Sequence, residues 1–379
     1  MTDVVIYADT FRSPELRHEV PIGIPDPFLY VEQGDTKHIV IGAMEIPRLA
    51  ELGLFELHPP EQYGVDELLK SGKTWFEIGE EIRVRALRDL GVESAVVPHT
   101  FPVGVADHLR ANGFELTVDR DFFDDRRRVK SDVELEGIRR AQAAAEAGMG
   151  AARELLGRAK ANGGEYVEVD GEALTSERLK TAIAQAFVAN GSTADEFIVV
   201  HGPQSAIGHD MGSGPIRAGE TIVIDLWPRD NESFCYADMT RTFVVGEPSN
   251  DAEEWHRLCK EALDVAITKI AAGVQGKTVF DATCEIFEAA GYPTQRTKTP
   301  GRPLDEGFYH GLGHGVGLEV HEAPGMGLIS DKELKAGDVV TVEPGLYRQG
   351  VGGCRLEDLV LVTENGAENL TRFTYDLTV

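Results

Sequence analysis

Short apolar runs and amphipathic helical patterns alternate through the first third of the chain. Apolar runs occur at residues 38–41 and 95–97, and a helical pattern with one apolar face covers residues 75–90. Alternation of strand and helix signals is typical of an α/β unit. The sequence therefore predicts a small α/β domain over residues 1–128.

The pattern changes after residue 124. The charged stretch 124–130 contains three consecutive arginines, Arg126 to Arg128, which we interpret as part of a solvated linker. Ser131 and Glu134 follow with the Ser-x-x-Glu spacing of a capping box, which predicts the start of a long helix. We therefore place a second domain at residues 129–379.

Two helices followed by a pair of strands occur twice in this second domain. Helices are expected at 132–159 and 172–190, and again at 251–272 and 278–290. The expected strands cover residues 221–226, 237–245, 339–343 and 355–362. The repeated order predicts an internally duplicated α+β domain.

Composition and charge narrow the class of protein. The formal net charge is -27, from 64 acidic and 37 basic residues, which argues against nucleic acid and anionic membranes as partners. No N-terminal apolar segment resembles a signal peptide, and no long uncharged run could span a bilayer, so we expect a cytoplasmic protein. The four cysteines form no C-x-x-C pair and are expected to be reduced thiols.

Five segments of the second domain place a side chain that can bind a metal on or beside a predicted strand. These side chains are Asp225, Asp238, His314, Glu343 and Glu357. Any single segment is also typical of a turn. Four carboxylates in one pocket would raise each other's pKa unless cations compensated them, and two divalent ions match their charge. A carboxylate-rich site with one imidazole suits manganese, cobalt, iron or zinc.

Glycines alternate with larger residues around His314. At strand period, His310, Leu312 and His314 are expected to share one face, while the glycine face admits a neighbouring backbone.

Five motifs together resemble those of the Xaa-Pro peptidases, prolidase and aminopeptidase P, of the creatinase-like pita-bread superfamily. The motifs are Asp238-Met239-Thr240-Arg241-Thr242-Phe243, His310-Gly311-Leu312-Gly313-His314-Gly315, Val320-His321-Glu322, Val342-Glu343-Pro344-Gly345-Leu346-Tyr347 and Arg355-Leu356-Glu357-Asp358. The resemblance runs from about Arg128 to the C terminus. It implies a curved, mainly antiparallel pita-bread sheet with outer helices, preceded by a creatinase-like α/β domain, and a homodimer.

The resemblance also implies roles for the metal ligands. Asp225 would bind one ion, His314 and Glu343 the other, and Asp238 and Glu357 would bridge both. Two divalent ions per chain, manganese, cobalt or zinc, would activate a water as nucleophile. Glu343 would accept its proton.

Further residues correspond to substrate contacts of the family. His321 would donate a hydrogen bond near the scissile bond, and His209 and His310 would line the pocket around the proline. Arg355 is expected to orient Glu357 or hold a substrate carboxylate, or else to pair with an acid as a structural residue. Arg48 has two open interpretations, a clamp for the substrate carboxylate or an exposed residue in the first turn of a helix begun by Pro47.

The activity that the resemblance implies is metal-dependent hydrolysis of the Xaa-Pro bond in dipeptides, with a small peptide carrying proline second as substrate. An aminopeptidase P acting on longer peptides is the alternative. A non-catalytic pita-bread binding module, a metal-free creatinase-like enzyme and a methionine aminopeptidase fit the residues less well. The segment between Asp225 and Asp238 is two residues longer than the family pattern, which places Trp227 and Arg229 at the rim of the site.

Overall fold

The computed structural model describes residues 2–161 and 165–379. The chain divides into two compact units, the first ending at Arg127 and the second running from Arg128 to Val379. Within the described ranges, no helix is both long enough and apolar enough to cross a bilayer.

The first unit is built on one six-stranded mixed sheet with order β4-β3-β2-β1-β5-β6. Its elements are β1 (Asp3–Ala8), α1 (Pro14–Glu19), β2 (Phe28–Gln33), β3 (Thr36–Val40), α2 (Ile46–Leu52), β4 (Glu56–His58), α3 (Val65–Leu69), α4 (Trp75–Asp89), β5 (Ser94–Val97), α5 (Val103–Ala111) and β6 (Glu115–Val118). Two buried clusters cover its two faces, because alternate residues of β1 point to opposite sides: Val5 to one, Val4 and Ile6 to the other. The predicted α/β character is confirmed.

The interpretation of the arginine run as a solvated linker is wrong. Residues Arg120–Arg128 form helix α6, and Arg127 and Arg128 are buried. Arg126 pairs with Glu19 and Glu32 of the first unit. Arg128 donates to the buried carboxylate of Asp338 at 2.6 Å. The charges of Arg126 and Arg128 are thus neutralised by acids distant in sequence, and Arg127 pairs with the nearby Asp124.

The second unit carries the remaining elements. They are α7 (Asp132–Arg158), β7 (Glu168–Val169), β8 (Glu172–Ala173), α8 (Ser176–Ala189), β9 (Ser192–Thr193), β10 (Ile198–His201), β11 (Thr221–Leu226), β12 (Arg229–Asp230), β13 (Met239–Val244), α9 (Asn250–Lys269), α10 (Gly276–Ala289), β14 (Glu306–Gly307), β15 (Gly313–Gly315), β16 (Glu322–Met326), β17 (Val339–Val342), β18 (Gly345–Arg348), β19 (Gly352–Arg355), β20 (Asp358–Thr363) and β21 (Gly366–Asn369). Among the described residues there are also two short 3₁₀ helices, Pro60–Tyr63 and Gly202–Ala206.

Helix α7 begins where the sequence predicts. The Ser131 side chain accepts from the Glu134 backbone, and the Glu134 carboxylate accepts from the Ser131 backbone N–H at 2.8 Å. This reciprocal pair satisfies two backbone donors that the helix itself leaves without partners.

The duplicated plan of the second unit is visible in its two cores. In the first half, α7 and α8 pack on the sheet β10-β11-β13 around side chains such as Phe187 and Ile224. In the second half, α9 and α10 pack on the sheet β16-β15-β17-β20-β21 around side chains such as Phe280 and Val340. The strand ladders of this unit are antiparallel throughout the described residues.

Two predicted boundaries differ from the structure. The expected strand 355–362 is interrupted, because Arg355 ends β19 and Asp358 begins β20 in another sheet. The helix expected from residue 172 begins only at Ser176, since residues 172–173 form β8 and the Thr175 hydroxyl caps the helix.

Candidate metal centre and substrate cavity

A cavity of about 480 Å³ lies within the second unit, and the five expected metal ligands all line it. His209, His310, His321 and Arg355 line the same cavity. Residues between positions 209 and 357 thus lie around one cavity. The packing of the two halves of the second unit brings them together.

Strand alternation aims the first two carboxylates at the cavity. In β11, Ile222, Ile224 and Leu226 enter the core beneath the sheet, so Asp225 points to the opposite face. Asp225 pairs with Thr240 of β13, and Asp238 lies two residues before Thr240. Both carboxylates are buried.

The second half supplies the other two carboxylates by the same rule. Cys354 and Leu356 enter the core, which leaves Arg355 and Glu357 on the cavity side. The backbone N–H of Glu357 donates to the Thr240 carbonyl at 3.0 Å, so the loop between β19 and β20 is fixed to the first half. The N–H of Glu343, just after β17, donates to the Leu312 carbonyl at 2.8 Å.

His314 faces the carboxylates with one ring nitrogen free to bind a cation. Its Nε2 lies 3.7 Å from Asp238 Oδ2 and 3.7 Å from Glu343 Oε1. Its Nδ1 donates to the Gly315 carbonyl at 3.2 Å, which keeps the proton on Nδ1 and leaves the lone pair of Nε2 directed at the carboxylates. Asp238, His314 and Glu357 each offer a ligand atom, and these atoms lie within 4.8 Å of one another.

The glycines around His314 permit this approach. A Cβ on Gly313 would lie 2.1 Å from the Thr341 carbonyl oxygen, and one on Gly315 would lie 2.4 Å from the Ala323 carbonyl oxygen. Only glycine fits either position without moving the neighbouring strand.

The expectation that Leu312 shares a face with the two histidines is wrong. His310 and His314 line the cavity, whereas Leu312 is fully buried in the core with Phe308 and Val340. The regular strand covers only β15, and its pairing with β16 shifts register between Gly313 and Gly315. Alternate residues face the same side only within a regular strand, and Leu312 lies just before β15 begins.

The shifted pKa values of the cavity side chains indicate that bound cations would stabilise the site. Burial, then the charges of neighbouring carboxylates, raise the pKa of Asp238 and of Glu357 well above their usual range. Burial raises the pKa of Glu343 to about 8, although Arg355 opposes the shift. Burial lowers the pKa of His314 to about 4, so its ring is neutral at pH 7.

Two carboxylate oxygens also lack partners. Asp225 Oδ1 and Asp238 Oδ1 are buried and accept no hydrogen bond from the described residues. Arg355 is the one Lys or Arg side chain among the described residues that line the cavity. The donor set of four carboxylates and one neutral imidazole therefore fits divalent metal ions, which would both ligate the free oxygens and offset the charge.

Arg355 contacts an acid directly, and that acid is Asp225 and not Glu357. Its Nη2 donates to Asp225 Oδ2 at 2.5 Å, its Nη1 to the Tyr347 hydroxyl at 3.1 Å and its Nε to the Thr240 hydroxyl at 3.2 Å. The Thr240 hydroxyl in turn donates to Glu357 Oε2 at 2.7 Å. Arg355 thus contacts Asp225 directly and reaches Glu357 only through Thr240.

The three further histidines lie around the carboxylate cluster. His310 accepts from the Tyr347 hydroxyl at 2.9 Å through Nε2 and donates to the Gly311 carbonyl at 2.7 Å through Nδ1. The His321 ring lies 4.3 Å from that of His314, measured between centroids, in an edge-to-face arrangement. His209 lines the same cavity. His201, by contrast, is buried against Glu220, as a structural histidine would be.

Sequence reasoning missed the role of Tyr347. Its hydroxyl joins Arg355 to His310, and the ring lines the cavity together with Tyr309. The alternation Glu343, Gly345, Tyr347 was the available signal, because every second residue of a strand faces the same side. Trp227 also lines the cavity, while Arg229 packs over the Phe234 ring at 4.9 Å.

Arg48 belongs to the first unit. It lies in the first turn of α2, where it pairs with Glu45 at 2.7 Å and donates to the Gly23 carbonyl at 3.1 Å. Its side chain is 51% exposed.

Comparison with known proteins identifies the family. Residues 136–364 match the model of metallopeptidase family M24. An Xaa-Pro dipeptidase of Pyrococcus horikoshii is 31% identical over 78% of this chain and 76% of its own length. An Xaa-Pro dipeptidase of Pyrococcus furiosus is 37% identical over 50% of this chain and 51% of its own length. This chain belongs to metallopeptidase family M24, whose members use divalent metal ions.

Solved structures share the architecture over nearly the whole chain. The prolidase from Pyrococcus furiosus superposes with a TM-score of 0.74 at 25% identity, covering 99% of this chain and 97% of that one. An X-Pro aminopeptidase from Thermotoga maritima superposes with a TM-score of 0.77 at 22% identity, covering 99% and 97%. The expected pita-bread fold with a creatinase-like first unit is confirmed.

Proposed function

We propose that this protein is an Xaa-Pro dipeptidase that uses two divalent metal ions per chain. The observation that carries the proposal is the convergence of Asp225, Asp238, His314, Glu343 and Glu357 on one cavity, with two buried carboxylate oxygens left without donors. The names of the Pyrococcus relatives support the substrate class. The ions would be manganese, cobalt or zinc.

Asp238 and Glu357 would contact both ions, Asp225 would hold one of them, and His314 with Glu343 would hold the other. Ions bound here would supply an acidified water and polarise the scissile carbonyl. Glu343 would be the group that accepts a proton from the attacking water. His321 donates to the substrate near the scissile bond, and His209 and His310 pack against the proline.

Arg355 is a positioning residue in this scheme. Because its guanidinium already binds Asp225, Thr240 and Tyr347, it fixes the Asp225 carboxylate in place and orders His310 through Tyr347. A clamp on the substrate carboxylate would have to compete with the short bond to Asp225.

Proline specificity follows from the chemistry of the bond. A proline amide has no N–H, so a site shaped for its ring needs no acceptor there. An ordinary residue would bring in an N–H without a partner, at a cost of ~1–3 kcal/mol. We therefore propose a strict preference for proline after the cleaved bond.

The length of the preferred peptide is tested with one substrate pair and one variant. A dipeptidase should hydrolyse Ala-Pro with a higher kcat/KM than an Ala-Pro-initiated tripeptide, and the reverse ratio would identify an aminopeptidase P. Arg48→Ala tests the carboxylate clamp in the same assay, with Arg12→Ala as a control for an exposed arginine of the first unit. A loss confined to the dipeptide supports the clamp. An unchanged ratio leaves Arg48 as a surface residue of α2, which is the role its bonds to Glu45 and Gly23 favour.

A homodimer is also proposed, on the family resemblance alone. Sedimentation equilibrium of the purified protein tests it, and a monomer at micromolar concentration would contradict it.

A further inference from the structure

Three ligand-type side chains converge at the edge of the sheet in the first unit. Strands β3 and β4 run parallel and pair His38 with Glu56, and His58 lies two residues after Glu56 on the same face of β4. Among the described residues, only two places bring three such side chains to within 4.8 Å of one another. The other place is the catalytic cluster of the second unit.

The distances in this edge cluster match those between ligands of one zinc ion. His38 Nδ1 lies 3.1 Å from His58 Nε2 and 3.2 Å from Glu56 Oε2. Ligand atoms about 2.0–2.2 Å from a tetrahedral zinc lie about 3.3–3.6 Å from each other, which is a few tenths of an ångström more than these two distances. An ion could therefore bind with little rearrangement of the side chains.

The second nitrogen of His58 is held as that of a metal ligand would be. His58 Nδ1 lies 3.2 Å from Gln62 Oε1 and donates its proton there, which leaves the lone pair of Nε2 directed at His38. Metal-binding histidines commonly make such an outer hydrogen bond, because it fixes the tautomer and the ring orientation.

Of the three ligands, His38 is buried and Glu56 is exposed, which suits a metal site that opens to solvent on one side. His38 is only 8% exposed, so its ring is packed in place with Nδ1 facing the other two ligand atoms. The Glu56 side chain is 63% exposed, so an ion can enter from solvent and a water can complete the tetrahedron. A proton on His38 Nδ1, shared with His58 and Glu56, is the competing occupant of the same space.

We propose that His38, Glu56 and His58 form a zinc site separate from the catalytic centre. The ion joins the three-residue edge strand β4 to β3 and so stabilises the edge of the sheet, where strand pairing is available on one side only. Two imidazoles and one carboxylate suit zinc better than calcium or magnesium, which prefer oxygen ligands alone. This site is independent of the proposed peptidase activity.

The stoichiometry of bound zinc tests the proposal. The full chain is stripped with chelator and titrated with zinc against a chromophoric competitor. Wild type should bind three ions per chain and His58→Ala two, and Glu56→Gln should bind the third ion at least ~10-fold more weakly. The matched controls are His108→Ala, from a lone histidine–carboxylate pair with Glu80, and Glu61→Gln, an exposed acid close by in sequence; both should retain three ions.

A second measurement separates this site from the catalytic one. The variant Asp238→Asn/Glu357→Gln removes both proposed bridging ligands and should retain one zinc ion, which adding His58→Ala should abolish. Far-UV circular dichroism matching that of wild type establishes that each variant is folded. Equal numbers of bound ions in wild type and a folded His58→Ala, or no ion lost when His58→Ala is added to Asp238→Asn/Glu357→Gln, would overturn the proposal and show that a proton occupies the cluster.

Discussion

At the scale of single residues, the site depends on carboxylates that are costly to assemble without cations. Burial and then neighbouring carboxylates raise the pKa of Asp238 and of Glu357, and Arg355 is committed to Asp225. Replacing a ligand that contacts two ions should therefore reduce metal binding and activity more than replacing a side chain that only contacts substrate.

We predict different outcomes for Glu357→Gln and His209→Ala. Glu357→Gln should lose bound metal and reduce kcat/KM on Ala-Pro by well over ~100-fold, because it removes a proposed bridge. His209→Ala should retain both catalytic ions and lose ~10–100-fold, the range typical of outer contacts. Glu364→Gln, at an exposed acid past β20, is the control and should behave as wild type. Similar losses of metal and activity in the first two variants would contradict the assigned roles.

At the scale of elements, the glycine alternation around His314 fixes the distance between β15 and its neighbours. Gly313 and Gly315 face carbonyl oxygens at distances that exclude a Cβ. The strand geometry, rather than the histidine alone, places Nε2 opposite Asp238 and Glu343.

We predict that Gly313→Ala destabilises the protein by ~1–3 kcal/mol, the usual cost of overpacking a closed interior, and weakens metal binding. Gly366→Ala is the matched control, because a Cβ there meets open space and the backbone angle is ordinary. Urea unfolding and metal titration of both variants measure the effect. Equal stability of Gly313→Ala and wild type would show that β15 can move away from Thr341 without cost.

Sequence patterns predicted most elements because local signals and tertiary structure agree there. The capping box at Ser131 and the apolar periodicity of α7 specify the helix locally, and the apolar run of β11 specifies a buried strand. The candidate ligands could be predicted because each lies on or directly beside a strand. Prediction failed where distant contacts decide: Arg128 is buried by Asp338, and Leu312 leaves the face of His314 because β15 is short and its pairing shifts.

At the scale of the whole molecule, the site exists only when the two halves of the second unit pack together. The first half supplies Asp225 and Asp238, and the second supplies His314, Glu343 and Glu357. The bond from Thr240 to Glu357 and the buried pair of Arg241 with Asp358 join the halves beside the cavity. Folding of this unit and formation of the metal centre should therefore be coupled.

Stability should depend on pH through His256, a half-buried residue of α9. Burial lowers the pKa of His256 below its usual 6.5, and its Nε2 has no hydrogen-bond partner in the described part of the chain. Because the unfolded chain binds this proton more readily, the contribution of His256 to stability is present above pH 6.5 and is lost as pH falls below it.

We predict that His256→Gln reduces the difference in unfolding free energy between pH 7.5 and pH 5.5, by at most ~1.4 kcal/mol per pH unit below 6.5. Urea unfolding at the two pH values measures it. His99→Gln, at a side chain 41% exposed, is the control and should retain more of the wild-type difference. A difference unchanged by His256→Gln would show that other groups carry the pH dependence.

Hydrolysis of Ala-Pro and Ala-Ala by chelator-stripped protein, before and after addition of manganese, cobalt or zinc, tests the proposed metal-dependent activity most directly. Stripped protein should turn over neither dipeptide. Activity on Ala-Pro should rise until two ions per chain occupy the catalytic cavity, with Ala-Ala remaining at least ~5-fold poorer, since an unpaired N–H costs ~1–3 kcal/mol. Full activity without metal, or equal turnover of the two dipeptides, would contradict the proposed activity.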